Sequence, residues 1–482
     1  MKTTSSAAYS FSILILAAIA LWSYTVHAAN GEAGAAPTSP GVSLALDSFL
    51  AQVEGDNQSL KAAKEASEGA GLRSSEAVLV YSPIFSAEFQ RANDHKLNSL
   101  FPGAYQKIYS NVASVGLSQQ TSFGMQAKVS YTLSSFVYVG SQPKFWEGLP
   151  RLELSQQVWG GGFGASTRAN QEIVEAGARA SQYTQSFNAR SLRAAAETAY
   201  VNLAASRALR LINENSLKRG QDIMDWNTRR YKMSLGEDSD LLQAQANIEV
   251  IKLQLQNALD SERIAGREFN RLRNVDGDTA SELLSLPEVE SATAPARAQF
   301  RDDVRAAMEQ TRVAQAQAVV GRERNKPTLE VFGSFALNSR SPTGDDAVTK
   351  SFKDDYPTSV IGVRFQTPLL IGAQLKAIKG YGKEAVAAEI EKDQKVFNQD
   401  VQWKDLVLRL NEAKQRYQIA TRLSDIQTKK ATTERVRLKR GRTTTYQSLL
   451  FDQDLNQAAA AKVQAQAEVL QLLAQMKTFG GA

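Results

Sequence analysis

Twice along this chain an alternating polar and apolar strand runs through a glycine turn into a very long proline-free helix, which ends at an Arg-x-x-x-[Ser/Gly] hinge. In the first copy the strand Leu149–Trp159 meets Gly160-Gly161-Gly162 and leads to Arg230-Tyr231-Lys232-Met233-Ser234. In the second, Ser359–Leu370 meets Gly372 and leads to Arg437-Leu438-Lys439-Arg440-Gly441. Glycine turn and hinge lie 69 residues apart in one copy and 65 in the other. At about 1.5 Å per residue each helix is roughly 100 Å long. No ordinary globular core needs such a rod twice, so the duplicated chain is built to span distance.

Proline placement agrees. All 12 prolines lie outside Arg151–Leu286 and Leu369–Ala482, and an interior proline costs a helix about 3 kcal/mol. Within these stretches Leu406, Leu410, Ala413, Tyr417 and Ala420 alternate steps of four and three. Leu241, Ala244, Ile248, Ile251, Leu255 and Ala258 do the same, the spacing of coiled-coil seams. Many seam positions are Ala, which suits helices packed closely. An isolated coiled coil is the competing reading of the helices, and the strands weigh against it.

The first 28 residues read as a secretory signal: Lys2, the apolar run Phe11–Trp22, and the cleavage site Val26-His27-Ala28. A membrane anchor is the alternative, but the core is short of the about 20 residues a span takes. Removing Lys2 takes the net charge from +6 to +5. Basic and acidic residues are interspersed as on solvated helix faces, and no aromatic-interleaved basic patch points to nucleic acid. With no cysteine in the chain, disulfides, thiolate metal sites and lipidation at an N-terminal cysteine are excluded. These features place the mature chain beyond the inner membrane.

The strands then suggest how it meets a second membrane. In Gly124–Phe136, Met125, Ala127, Val129, Tyr131 and Leu133 face one way, and Gln126, Lys128, Ser130, Thr132 and Ser134 the other. Leu329, Val331, Gly333, Phe335 and Leu337 oppose Glu330, Ser334 and Asn338, with Phe332 an exception. Ile361, Val363 and Phe365 oppose Gly362, Arg364 and Gln366. Strands with one apolar and one wet face match a transmembrane barrel. A soluble β-sandwich alternates similarly, but four or five candidate strands are few among so many helical residues. So few strands close a barrel only when several chains contribute. Gln126, Lys128, Ser130, Glu330, Arg364 and Gln366 are then candidates for the lumen. Tyr138, Phe145, Trp146, Trp159 and Tyr356 flank the strands as interfacial anchors do. Ser339–Asp355 reads as a surface loop, Val78–Gln90 as a further strand candidate, and Asp94–Val115 as an insertion.

Ser155-Gln156-Gln157-Val158-Trp159-Gly160-Gly161 is similar to the Ser-Gln-Pro-Leu-Phe-x-Gly turn of the TolC-like outer-membrane efflux protein family. The second copy, Gln366-Thr367-Pro368-Leu369-Leu370-Ile371-Gly372, keeps the proline. Arg230 to Leu235, with Asp240-Leu241-Leu242-Gln243-Ala244, resembles the family's first helix tip, Ser234 replacing the usual glycine. Arg437, Gly441 and Thr443 to Leu450 resemble the second. The similarity covers nearly the whole mature chain.

The resemblance implies a mixed α and β fold: a homotrimeric outer-membrane β-barrel, four strands per protomer, continuous with a long periplasmic α-helical barrel of coiled-coil hairpins. It implies residues 29–290 and 291–482 as two structural repeats. It also implies a periplasmic membrane-fusion adaptor and an inner-membrane pump (RND or ABC type) as partners. Asp240–Asn274 is expected to stack on Arg297–Arg324, and Val42–Arg73 on Thr445–Lys477, with Val275–Pro295 at mid-height. Adaptor docking falls to the small-residue hinges Ser234, Leu235, Gly236 and Gly441. The tunnel entrance falls to Asp240, Arg437, Arg440, Arg442 and Gln447. Where the family often has aspartates after the second tip, this chain has Gln447 and Leu450. The first tip is acidic (Glu237, Asp238, Asp240), the second basic (Arg435, Arg437, Lys439, Arg440, Arg442). Tip-to-tip ion pairs are one reading and solvated turns the other, since exposed pairs contribute only about 0–1 kcal/mol.

No enzyme is expected. After cleavage His95 is the one histidine left, and no catalytic triad or metal set can be assembled. Gly160-Gly161-Gly162-Phe163-Gly164 lacks the Lys-Ser/Thr of a phosphate loop. A passive export duct without cofactors is the leading expectation. A periplasmic coiled-coil scaffold or adhesion protein is the alternative.

Overall fold

Two rods dominate, and both begin where a strand loses its alternation. The structure, a computed structural model, describes residues 43–95, 107–139, 144–289, 293–353 and 355–480. The expected signal, the boundary between 290 and 291 and the Tyr138 side chain lie outside the described residues. The described residues open with the helices α1 (Leu46–Asp56), α2 (Gln58–Arg73) and α3 (Glu76–Leu79). Four strands follow, β1 (Ile84–Asp94), β2 (Lys107–Gln120), β3 (Met125–Val139) and β4 (Phe145–Trp159). Then come the first rod α4 (Ala165–Lys232), its return helix α5 (Asp238–Leu272) and α6 (Asp302–Arg324). The chain closes with β5 (Thr328–Leu337), β6 (Ser339–Ser341), α7 (Gly344–Lys350), β7 (Pro357–Gln366), the second rod α8 (Ile371–Lys439) and its return helix α9 (Thr445–Met476). The rods hold 68 and 69 residues, as the proline-free stretches predict.

The helices stand four abreast. Beside the tips the order is α5, α4, α9, α8, and nearer the sheet it is α2, α4, α6, α8. Small seam residues allow close approach: a Cβ on Gly321 of α6 would fall 2.3 Å from the Tyr381 ring of α8. Large apolar side chains concentrate at mid-height in two clusters. One joins Phe49, Leu50, Val53, Tyr200, Leu203, Phe269 and Leu272. The other joins Leu406, Leu410, Val469, Leu472, Met476 and Phe479.

End-to-end stacking departs from the expected pairing. Asn57, which caps α2, donates from Nδ2 to the Leu272 carbonyl at the end of α5 (2.9 Å). The Ala298 amide, just before α6, donates to the Phe479 carbonyl beyond α9 (2.9 Å). So α2 stands on α5 and α6 on α9, not α6 on α5. The reason is the segment after α5. It crosses α4 at Tyr200, whose hydroxyl donates to Leu44 O (2.7 Å) and reaches Ser285 O (3.3 Å), and delivers α6 to the far side of the rod. Mid-height is where the segment runs, as expected.

All strands share one antiparallel sheet in the order β1-β2-β3-β4-β5-β7, with short β6 paired to β4. It is open, with β1 and β7 as edges. Among the described residues six long strands stand where four were expected. The region thought to be an insertion from Asp94 supplies β2 from Lys107 onward, paired along its whole length with β1 and β3. Val78–Gln90 is helical to Leu79 and extended from Ile84. Ser339–Asp355 is a built cap rather than a bare loop, with Ser339, Ser341, Ala347 and Ser351 buried. Gly148 makes room for it, since a Cβ there would meet Ala347 O at 2.8 Å.

Candidate functional sites: the polar sheet face and the helix tips

Side chains directly opposite in an antiparallel sheet share a face, so the register sorts every strand. Lys128 pairs with Glu153, Glu153 with Ser334, and Ser334 with Val360. Gln126 pairs with Ser155, Ser130 with Arg151, Glu330 with Arg364, and Thr328 with Gln366. All six lumen candidates thus lie on one face. Arg151 and Glu153 join them, as do Ser86, Glu88 and Gln90 of β1. The charges on this face are neighbours: Arg364 lies 2.9 Å from Glu330, and Arg151 is 2.9 Å from Glu153 and 3.3 Å from the Ser334 hydroxyl. The other face carries Phe85, Phe89, Leu117, Val129, Leu152, Leu154, Val331, Phe335, Ile361, Val363 and Phe365.

Phe332 sits on the polar face for a local reason. It covers Gly362, where a Cβ would meet the ring at 2.4 Å, and Arg364 lies 5.1 Å from its centroid. A bulge between Gln157 and Trp159 turns Trp159 onto the apolar face, the face of Trp146 at the other end of β4. Bulges commonly re-aim a side chain in this way.

Below β4 the glycine run forms a close-packed joint. Gly160, Gly161 and Gly164 have φ of 67°, 88° and 75°, a region only glycine enters freely. A Cβ on Gly164 would sit 2.1 Å from Ser122 O in the β2–β3 turn. Arg168 donates to Ser122 O and Phe163 O, both at 2.7 Å. The Gly161 amide donates to buried Glu323 at the end of α6. This is a joint rather than a phosphate cradle.

The two helix tips share one geometry. Ser234 N–H donates to Tyr231 O and Leu235 N–H to Arg230 O. Gly441 N–H donates to Leu438 O and Arg442 N–H to Arg437 O, all four at 2.9 Å. This is the Schellman pattern, with Ser234 and Gly441 in the left-handed position at φ 58° and 67°. Gly236 follows the first cap, and Leu235 is exposed. Asp240 lies in the first turn of α5, where the helix dipole favours an acid. The Thr444 hydroxyl accepts from the Gln447 amide (3.2 Å), so Gln447 belongs to the α9 cap. Arg437 pairs with Glu434 on its own helix (3.2 Å), and Arg440 caps α8. Among the described residues of one protomer, no ion pair joins the acidic tip to the basic one.

Sequence reasoning missed a polar layer just above the tips. Arg219 Nε lies 2.7 Å from Asp452 Oδ1, and Arg435 reaches the same oxygen at 3.4 Å. Thr445 donates to Asn227 (2.8 Å), both buried. The signal was present: Thr445, Ser448 and Asp452 follow seam spacing with polar residues, and Asn456 lies one turn further on.

Several solved structures share this fold. The outer-membrane channel OprN is 15% identical with a TM-score of 0.66, covering 91% of this chain and 90% of its own. The Campylobacter jejuni outer-membrane channel CmeC is 15% identical with a TM-score of 0.65, covering 90% and 85%. The open state of the Neisseria gonorrhoeae outer-membrane channel MtrE is 18% identical with a TM-score of 0.62, covering 90% and 89%. No family profile and no curated protein sequence matches the chain. The fold is that of the TolC-like outer-membrane channels, as the sequence motifs imply.

Proposed function

We propose that this chain is an outer-membrane export duct: a homotrimer, not an enzyme, that passes cargo from the periplasm to the exterior as a passive conduit. The observation that supports it is one antiparallel sheet with a continuous polar face and a continuous apolar face, standing on rods roughly 100 Å long. A sheet can face lipid only when its backbone is fully paired, so copies must complete it. Trp146 and Trp159 are 13 residues apart on β4. At about 3.3 Å per residue and a tilt near 35° they are separated by roughly 35 Å across the membrane, close to its hydrocarbon thickness of about 30 Å. This span favours the duct over a periplasmic scaffold, which gives the two tryptophans no common purpose.

In this reading residues 1–28 are the signal, and 29–290 and 291–482 are two structural repeats. Gln126, Lys128, Ser130, Glu330, Arg364 and Gln366 line the pore. Ser234, Leu235, Gly236 and Gly441 present low-relief tips to a periplasmic adaptor, beneath which an RND or ABC pump supplies the energy. Asp240, Arg437, Arg440, Arg442 and Gln447 form the entrance, where acidic and basic tips of adjacent copies pair. The test is purification from outer membranes. A trimer giving ion conductance in planar bilayers is expected, and a monomer without conductance overturns the reading. Charge reversal at Asp240, or at Arg437 with Arg440, raises conductance if these groups hold the entrance shut. A bulky charge at Gly441 abolishes export but spares conductance.

A further inference from the structure

The strand register fixes how copies of this chain close the barrel, given the trimeric reading above. Ile84, the first residue of β1, pairs with Ser118; the line continues through Lys128, Glu153 and Ser334 to Val360. Val360 lies six residues before Gln366, where β7 ends on the same helical side of the sheet. The lower margin is therefore oblique to the hydrogen bonds by about one residue per strand. In a barrel, stagger and tilt are one quantity. A six-residue rise over six strand spacings corresponds to a tilt of about 35°, which is within the range of closed barrels. Tilted by that angle, all six strands meet the helices at one height.

We infer that the pore is an eighteen-stranded barrel, six strands from each of three copies, sealed by β7 of one copy against β1 of the next. An even strand number makes that seam antiparallel, like every other pairing in the sheet. Levelling the margin places Gln366 beside Ile84 of the neighbouring copy. Phe365 then lies opposite Phe85, Val363 opposite Ala87 and Ile361 opposite Phe89, all on the apolar face. Arg364 lies opposite Ser86 and Gly362 opposite Glu88 on the polar face. Exposure agrees. On the apolar face Ile361 is 87% exposed, Phe85 71% and Val363 66%, while interior Leu152, Leu154 and Val331 are at 41%, Phe335 at 46%, Leu117 at 51% and Val129 at 57%.

Width agrees as well. Six strands about 4.8 Å apart and tilted by 35° occupy about 35 Å of circumference. Four helices abreast at about 9 Å spacing occupy about 36 Å. Four strands would cover only about 23 Å and force a sharp taper at the joint. Barrels of this strand number hold an open aqueous channel.

The chain has no cysteine, so introduced pairs report cleanly. With Ala87→Cys and Val363→Cys together, mild oxidation in outer membranes should give covalent dimers and trimers on denaturing gels, and neither single variant should give trimers. Ala127→Cys with Val363→Cys tests the alternative, a twelve-stranded barrel sealed at β3. Cross-linking there but not at Ala87 overturns the eighteen-stranded barrel and leaves the trimeric duct standing. Cross-linking at neither pair overturns both.

Discussion

Glu323 Oε2 accepts a hydrogen bond from the Gly161 amide at 3.2 Å, so the last turn of α6 holds the joint from which α4 begins. The two residues are 162 positions apart in the chain. The other carboxylate oxygen lies 2.6 Å from Lys326 Nζ. Burial alone would raise the Glu323 pKa; the Lys326 ammonium and the Gly161 amide outweigh it and hold it below the usual carboxylate value.

A lowered folded-state pKa means that the unfolded chain binds the proton more tightly. The stabilisation from Glu323 is therefore complete above the ordinary carboxylate pKa and is lost as pH falls through the lower folded value. Glu323→Ala should cost about 1.5–3 kcal/mol at neutral pH, the range for a charge-assisted buried hydrogen bond. Thermal unfolding of the detergent-solubilised protein should show the deficit shrinking between pH 7 and pH 3. A deficit independent of pH would assign the loss to packing instead.

At the first tip, Ser234 occupies the left-handed position that Gly441 fills at the second. A side chain there carries a penalty that glycine does not. Ser234→Gly should stabilise the hairpin by about 1 kcal/mol, and Gly441→Ala should destabilise its own by a similar amount. Hydrogen exchange at the amides of Leu235 and Arg442 reads each effect locally.

Gly321 lets α6 and α8 approach through the Tyr381 ring. Gly321→Ala should cost about 1–3 kcal/mol by overpacking. Pairing it with Tyr381→Leu should recover most of that loss in thermal unfolding, because the obstructing ring is removed.

Asp452 is buried between Arg219 and Arg435. Asp452→Asn removes the carboxylate that both guanidinium groups share and leaves Asp222 as the remaining acid near Arg435, at a cost of about 3 kcal/mol. The loss should appear as faster proteolysis near both tips with protection of the sheet unchanged. Equal protection in both proteins would make the layer energetically neutral.

Much of this was legible beforehand because it is periodic. The rods of α4 and α8, the alternation in β3, β5 and β7, and the two tip hinges at Ser234 and Gly441 rest on local steric rules. Each residue there carries its own share of the signal. Phe332 read as a flaw in the alternation, because its partner Gly362 is distant in sequence and the cover it provides exists only across the strand pair.

The rods, the faces of the strands and the left-handed caps follow from local residue order, since proline exclusion, side-chain alternation and glycine-like turns act over a few residues. Long-range packing, by contrast, makes β1 and β2 extend the sheet to six long strands among the described residues. It also placed α6 on α9 rather than on α5, and closed Glu323 onto Gly161. Those outcomes depend on which margins and helix ends meet. Such meetings are set by register, by the path of the segment that crosses Tyr200, and by steric room at Gly148, Gly164 and Gly321, and no local pattern of residues encodes them.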